Sequence, residues 1–216
     1  MLERLHKPRY RFVSTPSEDA LRVLDIVLQA EPDPEIAEIG VGIGATSLAL
    51  AERLDQHGVL HLFDYEDRAE GLKVDLAERG FANVEAHANS RALFDSYSWN
   101  LGRLAAECGP EGRFHFAYLD GAHSFMHDAA ATVLLMRLVR VGGFLLMDDY
   151  GWTFAKSPTL NPDVNPGILE QYTREQLEVP HVKLVCELFL DPSPDFEVEF
   201  LDGQISRARR LYRRLR

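Results

Sequence analysis

The sequence predicts an α/β fold built on a mostly parallel sheet. Short apolar stretches with strand character alternate with longer stretches of helical spacing along most of the chain. Glycines follow several of the helical stretches, as expected where a helix ends. The 216 residues are enough for one domain with a sizeable core and too few for two typical domains.

Five helices and five strands are predicted in alternation after a polar N-terminal arm or lid, residues 1–16. In the first helix, Leu21, Leu24 and Val27 form an apolar stripe at helical spacing. The helices are expected at residues 17–30, 46–54, 67–79, 91–108 and 125–139. The strands are expected at residues 36–39, 59–63, 84–88, 114–119 and 144–147. Residues 17–216 are therefore assigned to a single domain.

The regular alternation ends after the fifth strand. Residues 151–166 contain three prolines and two large aromatic residues, which predicts a long loop. Long loops in compact domains often act as lids over a site. We therefore predict that Tyr150, Trp152 and Phe154 contact a substrate. Beyond the loop, the pattern predicts a helix near residues 167–177 and strands at residues 182–190 and 196–201.

Composition limits the class of partner. The net charge of -11 disfavours nucleic acid, although the tail, residues 207–216, carries six arginines. That tail is interpreted as a solvated face rather than a phosphate-binding segment. No apolar run approaches the roughly 20 residues that span a bilayer, and the N-terminus lacks the apolar stretch of a signal peptide. A cytoplasmic protein is predicted, with Cys108 and Cys186 as reduced thiols.

A glycine-rich loop follows the first strand. Gly40, Gly42 and Gly44 allow a tight turn and a close approach to a ligand, and Thr46 begins the next helix. These four residues are predicted to bind the cofactor, together with Asp120 after the fourth strand. Open parallel sheets bind ligands beyond the carboxyl ends of their strands, where this loop lies. The glycines alone do not distinguish a dinucleotide from S-adenosylmethionine (SAM), because they also satisfy the relaxed dinucleotide pattern.

Two carboxylates favour SAM. Glu38 precedes the glycines in an otherwise apolar strand, where a carboxylate is costly unless it meets a cation such as the α-ammonium of SAM. Asp64 ends the second strand and can accept hydrogen bonds from a ribose diol, which NAD would also provide. The alternatives are a surface charge at Glu38 and a helix-capping role for Asp64. Asn89 and Ser90 end the third strand and either contact the adenine or, for Ser90, cap the next helix.

Three aspartates end the fourth and fifth strands. Asp120 follows the fourth strand, and Asp148 and Asp149 follow the fifth. Because these strands flank one side of the crevice, we expect the carboxylates to converge and repel one another. A divalent cation would relieve that repulsion, and oxygen ligands favour Mg²⁺, with Mn²⁺ as the alternative. The other interpretation is one capping acid beside surface acids.

His123 stands three residues after Asp120. An imidazole there can accept a proton from a hydroxyl, so His123 or Asp120 itself is predicted as the general base. In the competing interpretation, Ser124 caps the next helix and His123 only orients Asp120. His57, His61, His87 and His115 show no partner pattern and are assigned no role.

Together these motifs resemble the small class I O-methyltransferases of natural-product pathways, including the macrocin O-methyltransferase type. The resemblance rests on residues 38–44, on residues 119–124, and on Gly142 and Gly143 ahead of residues 148–150. The chain is more distantly similar to cephalosporin hydroxylase-like proteins and catechol O-methyltransferases. The match covers roughly residues 17–201.

The resemblance implies a Rossmann-like, seven-stranded sheet with a reversed late strand and helices on both faces. It also implies that the three aspartates correspond to metal ligands, and that the catechol type carries a lysine base where this chain has His123. Family members more often have an acid at the position of Ala122. Residues 165–168 resemble the start of the helix after the lid. The resemblance also implies homo-oligomers formed through N-terminal elements, here residues 9–16. Separately, Tyr10 and Phe12 are candidates to close the other side of the site.

The predicted function is Mg²⁺-dependent transfer of a methyl group from SAM to a hydroxyl of a small molecule. Catechols, phenols and sugar-bearing natural products are the predicted acceptors. One alternative is a hydroxylase-like enzyme that shares the SAM and metal sites. An NAD-dependent oxidoreductase is disfavoured by Glu38 and the aspartates, because hydride transfer needs neither. A non-catalytic SAM-binding protein is the third alternative.

Overall fold

The computed structural model describes all 216 residues, apart from the side chain of Phe12. The strands are β1 Glu35–Ile39, β2 Val59–Tyr65, β3 Val84–Asn89, β4 Phe114–Leu119, β5 Val139–Met147, β6 Phe196–Glu199 and β7 Arg210–Arg214. They form one sheet in the order β3-β2-β1-β4-β5-β7-β6. The first five strands are parallel, and β7 runs antiparallel to both β5 and β6. The predicted α/β class and the seven-stranded, mostly parallel sheet are confirmed.

Helices cover both faces of the sheet. They are α1 Glu18–Ala30, α2 Ala45–Leu54, α3 Glu66–Glu78, α4 Tyr97–Glu107, α5 Phe125–Leu138, α6 Arg174–Glu178 and α7 His181–Val185. Side chains of α1, α2 and α3 pack in one apolar core, and those of α4, α5 and α7 pack in a second core across the sheet. Along β2, Leu62 joins the first core and Phe63 the second, as the alternation of side chains in a strand requires.

The strand order reverses between β1 and β4. From β1 the chain proceeds outward to β2 and β3, and then returns to place β4 on the other side of β1. Such a reversal opens a crevice at the carboxyl ends of the two central strands. The predicted glycine loop and Asp120 follow these two ends.

Several predicted boundaries are wrong. The helix predicted at residues 91–108 begins only at Tyr97, because the Ser96 hydroxyl caps it by accepting from the Ser98 amide. The fifth strand starts at Val139 rather than at residue 144. The helix predicted at residues 167–177 is instead a 3-10 helix, Pro166–Glu170, followed by the short α6.

The predicted strand at residues 182–190 is wrong. This segment forms α7 and a π-helical continuation, Cys186–Leu190. Val182, Val185, Cys186 and Leu190 all enter the second core, and their spacing matches one face of a helix. The β-branched residues suggested a strand, but burial of this face decides the conformation.

The arginine-rich tail is not the solvated face predicted from the sequence. Its central part is β7, which lies inside the sheet between β5 and β6. Leu211 and Tyr212 are buried, one on each face of the sheet. The sequence did not predict this strand, because its arginines suggest a solvated segment. A long aliphatic stem can nevertheless pack along apolar surface while its charged end reaches a polar partner.

The N-terminal arm packs against the domain. It forms two 3-10 helices, Leu2–His6 and Pro8–Val13, and Leu2 is buried in the first core. The Met1 ammonium group forms an ion pair with Asp75 of α3. Among the described residues, no helix combines the length and the apolar character needed to cross a membrane.

Candidate active site

A cavity of about 510 Å³ lies at the carboxyl ends of the central strands. The arm contributes Val13 and Thr15 to its wall, whereas the side chain of Phe12 lies outside the described part of the chain. The predicted site residues that line it are Glu38, Gly40, Gly42, Thr46, Asp64, Asn89, Asp120, His123, Asp148 and Asp149. Of the described residues predicted for the site, the following do not line it: Tyr10, Gly44, Ser90, Tyr150, Trp152 and Phe154.

The glycine loop packs directly against the end of β4. Gly40 has a φ of +88°, and a Cβ atom there would lie 2.0 Å from the backbone oxygen of Asp120. Only glycine fits such a contact. Gly42 also has a positive φ, but a Cβ atom there would meet nothing within 4 Å. The loop thus needs Gly40 for its own packing, and Gly42 leaves open space beside the cavity.

Glu38 is a buried carboxylate with an unused oxygen. Its side chain is only 1% exposed, and its Oε2 atom has no hydrogen-bond partner. Burial raises the pKa of Glu38 to about 8, and the nearby charges of Asp120 and Asp64 add to the rise. The surface-charge interpretation of Glu38 is wrong. A buried carboxylate that lines a cavity and keeps one unpaired oxygen is suited to a cationic ligand.

Asp64 is fixed at the end of β2 by backbone contacts. Its Oδ2 atom accepts from the Val41 amide at 3.0 Å, and its Oδ1 atom accepts from the Tyr65 amide at 2.7 Å. Arg68 lies 3.5 Å from Oδ2. The capping interpretation is wrong, because Tyr65 occupies the N-cap position of α3 without a side-chain cap. Asp64 instead joins β2 to the glycine loop.

The other polar residues that the sequence predicts beside the cofactor differ in burial and in contacts. Asn89 is buried, and its Oδ1 atom has no hydrogen-bond partner. The Thr46 hydroxyl accepts from the Ser17 amide at 3.0 Å and so joins α2 to the start of α1. Ser90 is exposed, and it does not cap α4, since Ser96 does. Asn89 is therefore the better placed of the two to contact a ligand.

Asp120 and Asp148 meet at the hydroxyl of Tyr118. This hydroxyl contacts Asp148 Oδ2 closely and lies 3.3 Å from Asp120 Oδ2. Burial and the charges of Asp148 and Asp149 raise the pKa of Asp120 well above its usual range. The convergence of acids that the sequence predicts is therefore present at this edge of the sheet.

Arg209 is a site residue that the sequence did not indicate. Its guanidinium lies 3.1 Å from Asp148 Oδ2 and 3.1 Å from Asp19 Oδ2. Burial opposes the charged guanidinium, but Asp148 and the hydrogen bond with Asp19 outweigh it and raise the pKa of Arg209. A protein cation thus already neutralises part of the acidic cluster.

His123 lies between two of the aspartates. Its Nε2 atom is 3.6 Å from Asp120 Oδ1 and 3.5 Å from Asp149 Oδ2. Both His123, with φ of +51°, and Asp149, with φ of +52°, adopt the left-handed region. Residues other than glycine rarely do so, and such conformations concentrate at functional sites. The loop geometry therefore directs the imidazole toward both carboxylates.

The three aspartates only partly fit a metal ion. Asp120 and Asp149 are part-exposed, whereas Asp148 has one oxygen on Arg209 and Tyr118 and accepts the Asp149 amide with the other. Among the described side chains, the group of three ligand atoms that lies within 4.8 Å is His61, Glu85 and His87, not the aspartates. Asp120 and Asp149 remain the ligands available to a cation in the cavity.

Residues 37–150, more than half of the chain, match the sequence profile of a family described as "Methyltransferase domain". This chain belongs to that methyltransferase family. The matched range runs from β1 to the residue after Asp149, so it includes the glycine loop and all three aspartates. A search of curated proteins finds no match for this methyltransferase.

Solved structures share the fold. One is the O-methyltransferase TomG from Streptomyces achromogenes, which is involved in tomaymycin synthesis and was crystallised with SAM. It is 22% identical to this chain, with a TM-score of 0.59, and the match covers 92% of this chain and 80% of TomG. An O-methyltransferase from Bacillus cereus in complex with S-adenosylhomocysteine (SAH) is 19% identical, with a TM-score of 0.59 and coverage of 92% and 81%.

A third structure contains a metal. MycE, a methyltransferase of the mycinamycin biosynthetic pathway, was solved with Mg and SAH. It is 16% identical to this methyltransferase, with a TM-score of 0.51 and coverage of 89% of this chain and 48% of MycE. At these identities the likeness shows the fold alone.

A buried pair supports the loop of this methyltransferase that carries His123. The Tyr97 hydroxyl donates to Asp128 at 2.8 Å and accepts from the Ala122 amide at 3.3 Å. A Cβ atom at Gly121 would lie 2.7 Å from the same hydroxyl. Ser124 stands at the N-cap position of α5, but its hydroxyl contacts His127 instead of capping the helix.

The aromatic residues after β5 form a small core of their own. Phe154 is buried with Ile168 and Leu177, and Trp152 packs against this cluster. The Trp152 ring also lies 5.5 Å from the His123 ring, between centroids. Tyr150 packs against the second core instead. Trp152 is therefore the predicted substrate contact whose ring packs against His123, a residue that lines the cavity.

Proposed function

We propose that this methyltransferase transfers the methyl group of SAM to a hydroxyl oxygen of a small molecule. The buried, unpartnered oxygen of Glu38 carries the proposal, because it provides a ready partner for the α-ammonium of SAM in a cavity beside the glycine loop. A dinucleotide would instead bring a pyrophosphate toward this carboxylate. The names of TomG and the Bacillus cereus protein support an oxygen acceptor.

The residues of the cavity fit SAM at three points. Glu38 would pair with the α-ammonium, Asp64 would accept from the ribose hydroxyls, and Asn89 would face the adenine. Gly42 leaves space for close approach, and Thr46 lines the same wall. When bound, SAM supplies an electrophilic methyl group on a sulfonium. The protein's task is then to align the acceptor and to remove its proton.

His123 is proposed to accept the proton of the acceptor hydroxyl at Nε2. Asp120 and Asp149 flank that nitrogen at 3.6 and 3.5 Å, so their charges would stabilise the imidazolium that forms. Asp148 is paired with Arg209 instead, at 3.1 Å. Asp120 is the alternative base, as its raised pKa also favours holding a proton.

The acceptor is proposed to carry a ring. Trp152 does not line the cavity itself, but its ring packs against His123, beside the point where the hydroxyl would be held. Phenols, catechols and sugar-bearing natural products meet this requirement, which agrees with the resemblance to the macrocin type. An assay with methyl-labelled SAM and a panel of these acceptors should yield products with one added methyl ether. Label recovered only on nitrogen or carbon would overturn the proposed acceptor.

Magnesium is proposed to assist this reaction. Asp120 and Asp149 would hold it, and a divalent cation supplies polarisation of an oxygen ligand, which lowers the pKa of a hydroxyl. MycE, solved with Mg, supports this proposal. In the same assay, EDTA is expected to reduce the methyl-transfer rate at least about tenfold, with recovery on added Mg²⁺. Undiminished transfer in EDTA would contradict the role of the metal.

A further inference from the structure

A second cluster of potential ligands lies on the sheet face that carries α4 and α5. His61 on β2 pairs in register with Glu85 on β3, and His87 is two residues further along β3. Side chains two residues apart on a strand share a face, so all three project from the same side as Phe63. None of the three lines the cavity.

The ligand atoms of this cluster are already close together. His61 Nδ1 lies 2.9 Å from His87 Nε2 and 3.3 Å from Glu85 Oε2, and the last two atoms are 3.9 Å apart. Around a tetrahedral zinc ion with bonds of about 2.0–2.1 Å, ligand atoms stand about 3.3 Å apart. The three distances bracket that value, so an ion could enter with small side-chain shifts.

Neighbouring groups hold the rings in position. Glu35 Oε2 lies 3.2 Å from His61 Nε2, which leaves Nδ1 free to act as the ligand atom. Arg113 forms an ion pair with the same Glu35 oxygen and holds this carboxylate beside the ring. The His87 ring stacks on Phe63 with centroids 4.4 Å apart. This carboxylate–histidine arrangement is typical of the surroundings of metal ligands.

The ligands are also accessible from solvent. The His87 side chain is 17% exposed. The Glu85 side chain is 53% exposed on an edge strand, which gives an ion a route from solvent. Two imidazoles and one carboxylate are the ligand types of zinc sites that keep a position for water.

We propose that His61, Glu85 and His87 bind a divalent transition-metal ion of the zinc class. The ion would link β3 to β2, and β3 also carries Asn89, which lines the cavity. The site is separate from the aspartates, because none of its three ligands lines the cavity. Mg²⁺ would not compete, because it prefers oxygen ligands.

Calorimetric titration of the whole chain with Zn²⁺ tests this site. Wild-type protein is expected to bind one Zn²⁺ ion that His87→Ala and Glu85→Gln each weaken at least about tenfold. His57→Ala is the matched control, because His57 is an exposed histidine whose ring contacts Asp33 instead. Zn²⁺ should also raise the Tm of the wild type and of His57→Ala, but not of the two site variants.

Two outcomes of the titration would contradict this zinc site. A plain hydrogen bond between the two imidazoles would leave the wild type without zinc affinity, and that result overturns the proposal. Zinc bound at His123 would be unchanged in His87→Ala and Glu85→Gln, with the same consequence. If His87→Ala fails to fold, Glu85→Gln decides, because the half-exposed Glu85 side chain makes no contribution to the apolar core.

Discussion

Replacing Glu38 with glutamine is expected to weaken SAH binding by about 100-fold or more. The substitution keeps the size of the side chain but removes the charge that would face the α-ammonium. Loss of one member of a buried ion pair typically costs about 3–5 kcal/mol, which corresponds to more than two orders of magnitude in Kd. Because SAH keeps the ammonium group and lacks the transferable methyl group, calorimetry with SAH measures this contact apart from catalysis.

Glu52→Gln provides the control for this variant. Glu52 is an exposed residue of α2, and its substitution should leave the Kd for SAH unchanged. If Glu38→Gln binds SAH as tightly as the wild type, the buried carboxylate has no role in holding the cofactor.

The pKa of Glu38 gives the same variant a second readout. Folding raises this pKa from 4.5 to about 8, so the folded protein retains the proton to higher pH than the unfolded chain does. The stabilisation is complete below pH 4.5 and is lost as the pH rises through about 8. Relative to Glu38→Gln, the wild type without ligand should therefore lose on the order of 10 °C in Tm between pH 5 and pH 9.

His123→Ala is expected to lower kcat by about 100- to 10,000-fold, the range typical for loss of a general base. The Kd for SAH should change little, because His123 faces the aspartates rather than Glu38. A kcat profile over pH provides the measurement, and the acidic limb of the wild-type profile should disappear in the variant. His127→Ala is the matched control, since His127 lines the same cavity but contacts Ser124.

The identity of the base depends on this comparison. If His123→Ala retains the wild-type kcat, His123 is not the base, and Asp120 becomes the candidate. Asp120→Asn should then remove the acidic limb while His123→Ala leaves it in place.

The parts of the site that the sequence indicated all follow strand ends. Glu38, Asp64 and Asp120 stand out because each is a charged residue at the end of an apolar strand, and parallel strands end at one edge. The topology therefore brings them together whatever the details of packing. The same reasoning placed the glycine loop at the carboxyl ends of the strands, where the structure packs Gly40 against the backbone of Asp120.

The residues that the sequence did not indicate depend on pairing across the sheet. Arg209 reaches Asp148 only because β7 enters beside β5, and nothing local in an arginine-rich tail predicts that strand. His61 and His87 meet only through the register of β2 and β3. Phe154 was expected at a substrate because aromatic residues in a long loop suggest contact, yet here they bury one another.

Titration of the purified protein with SAH and, separately, with NAD tests the central claim most directly. Both ligands carry an adenosine that Asp64 could hold, but only SAH carries the ammonium group that matches Glu38. We expect SAH to bind with one molecule per chain and NAD to give no measurable heat of binding. Binding of NAD without binding of SAH would contradict the assignment of this cavity to a methyltransferase cofactor.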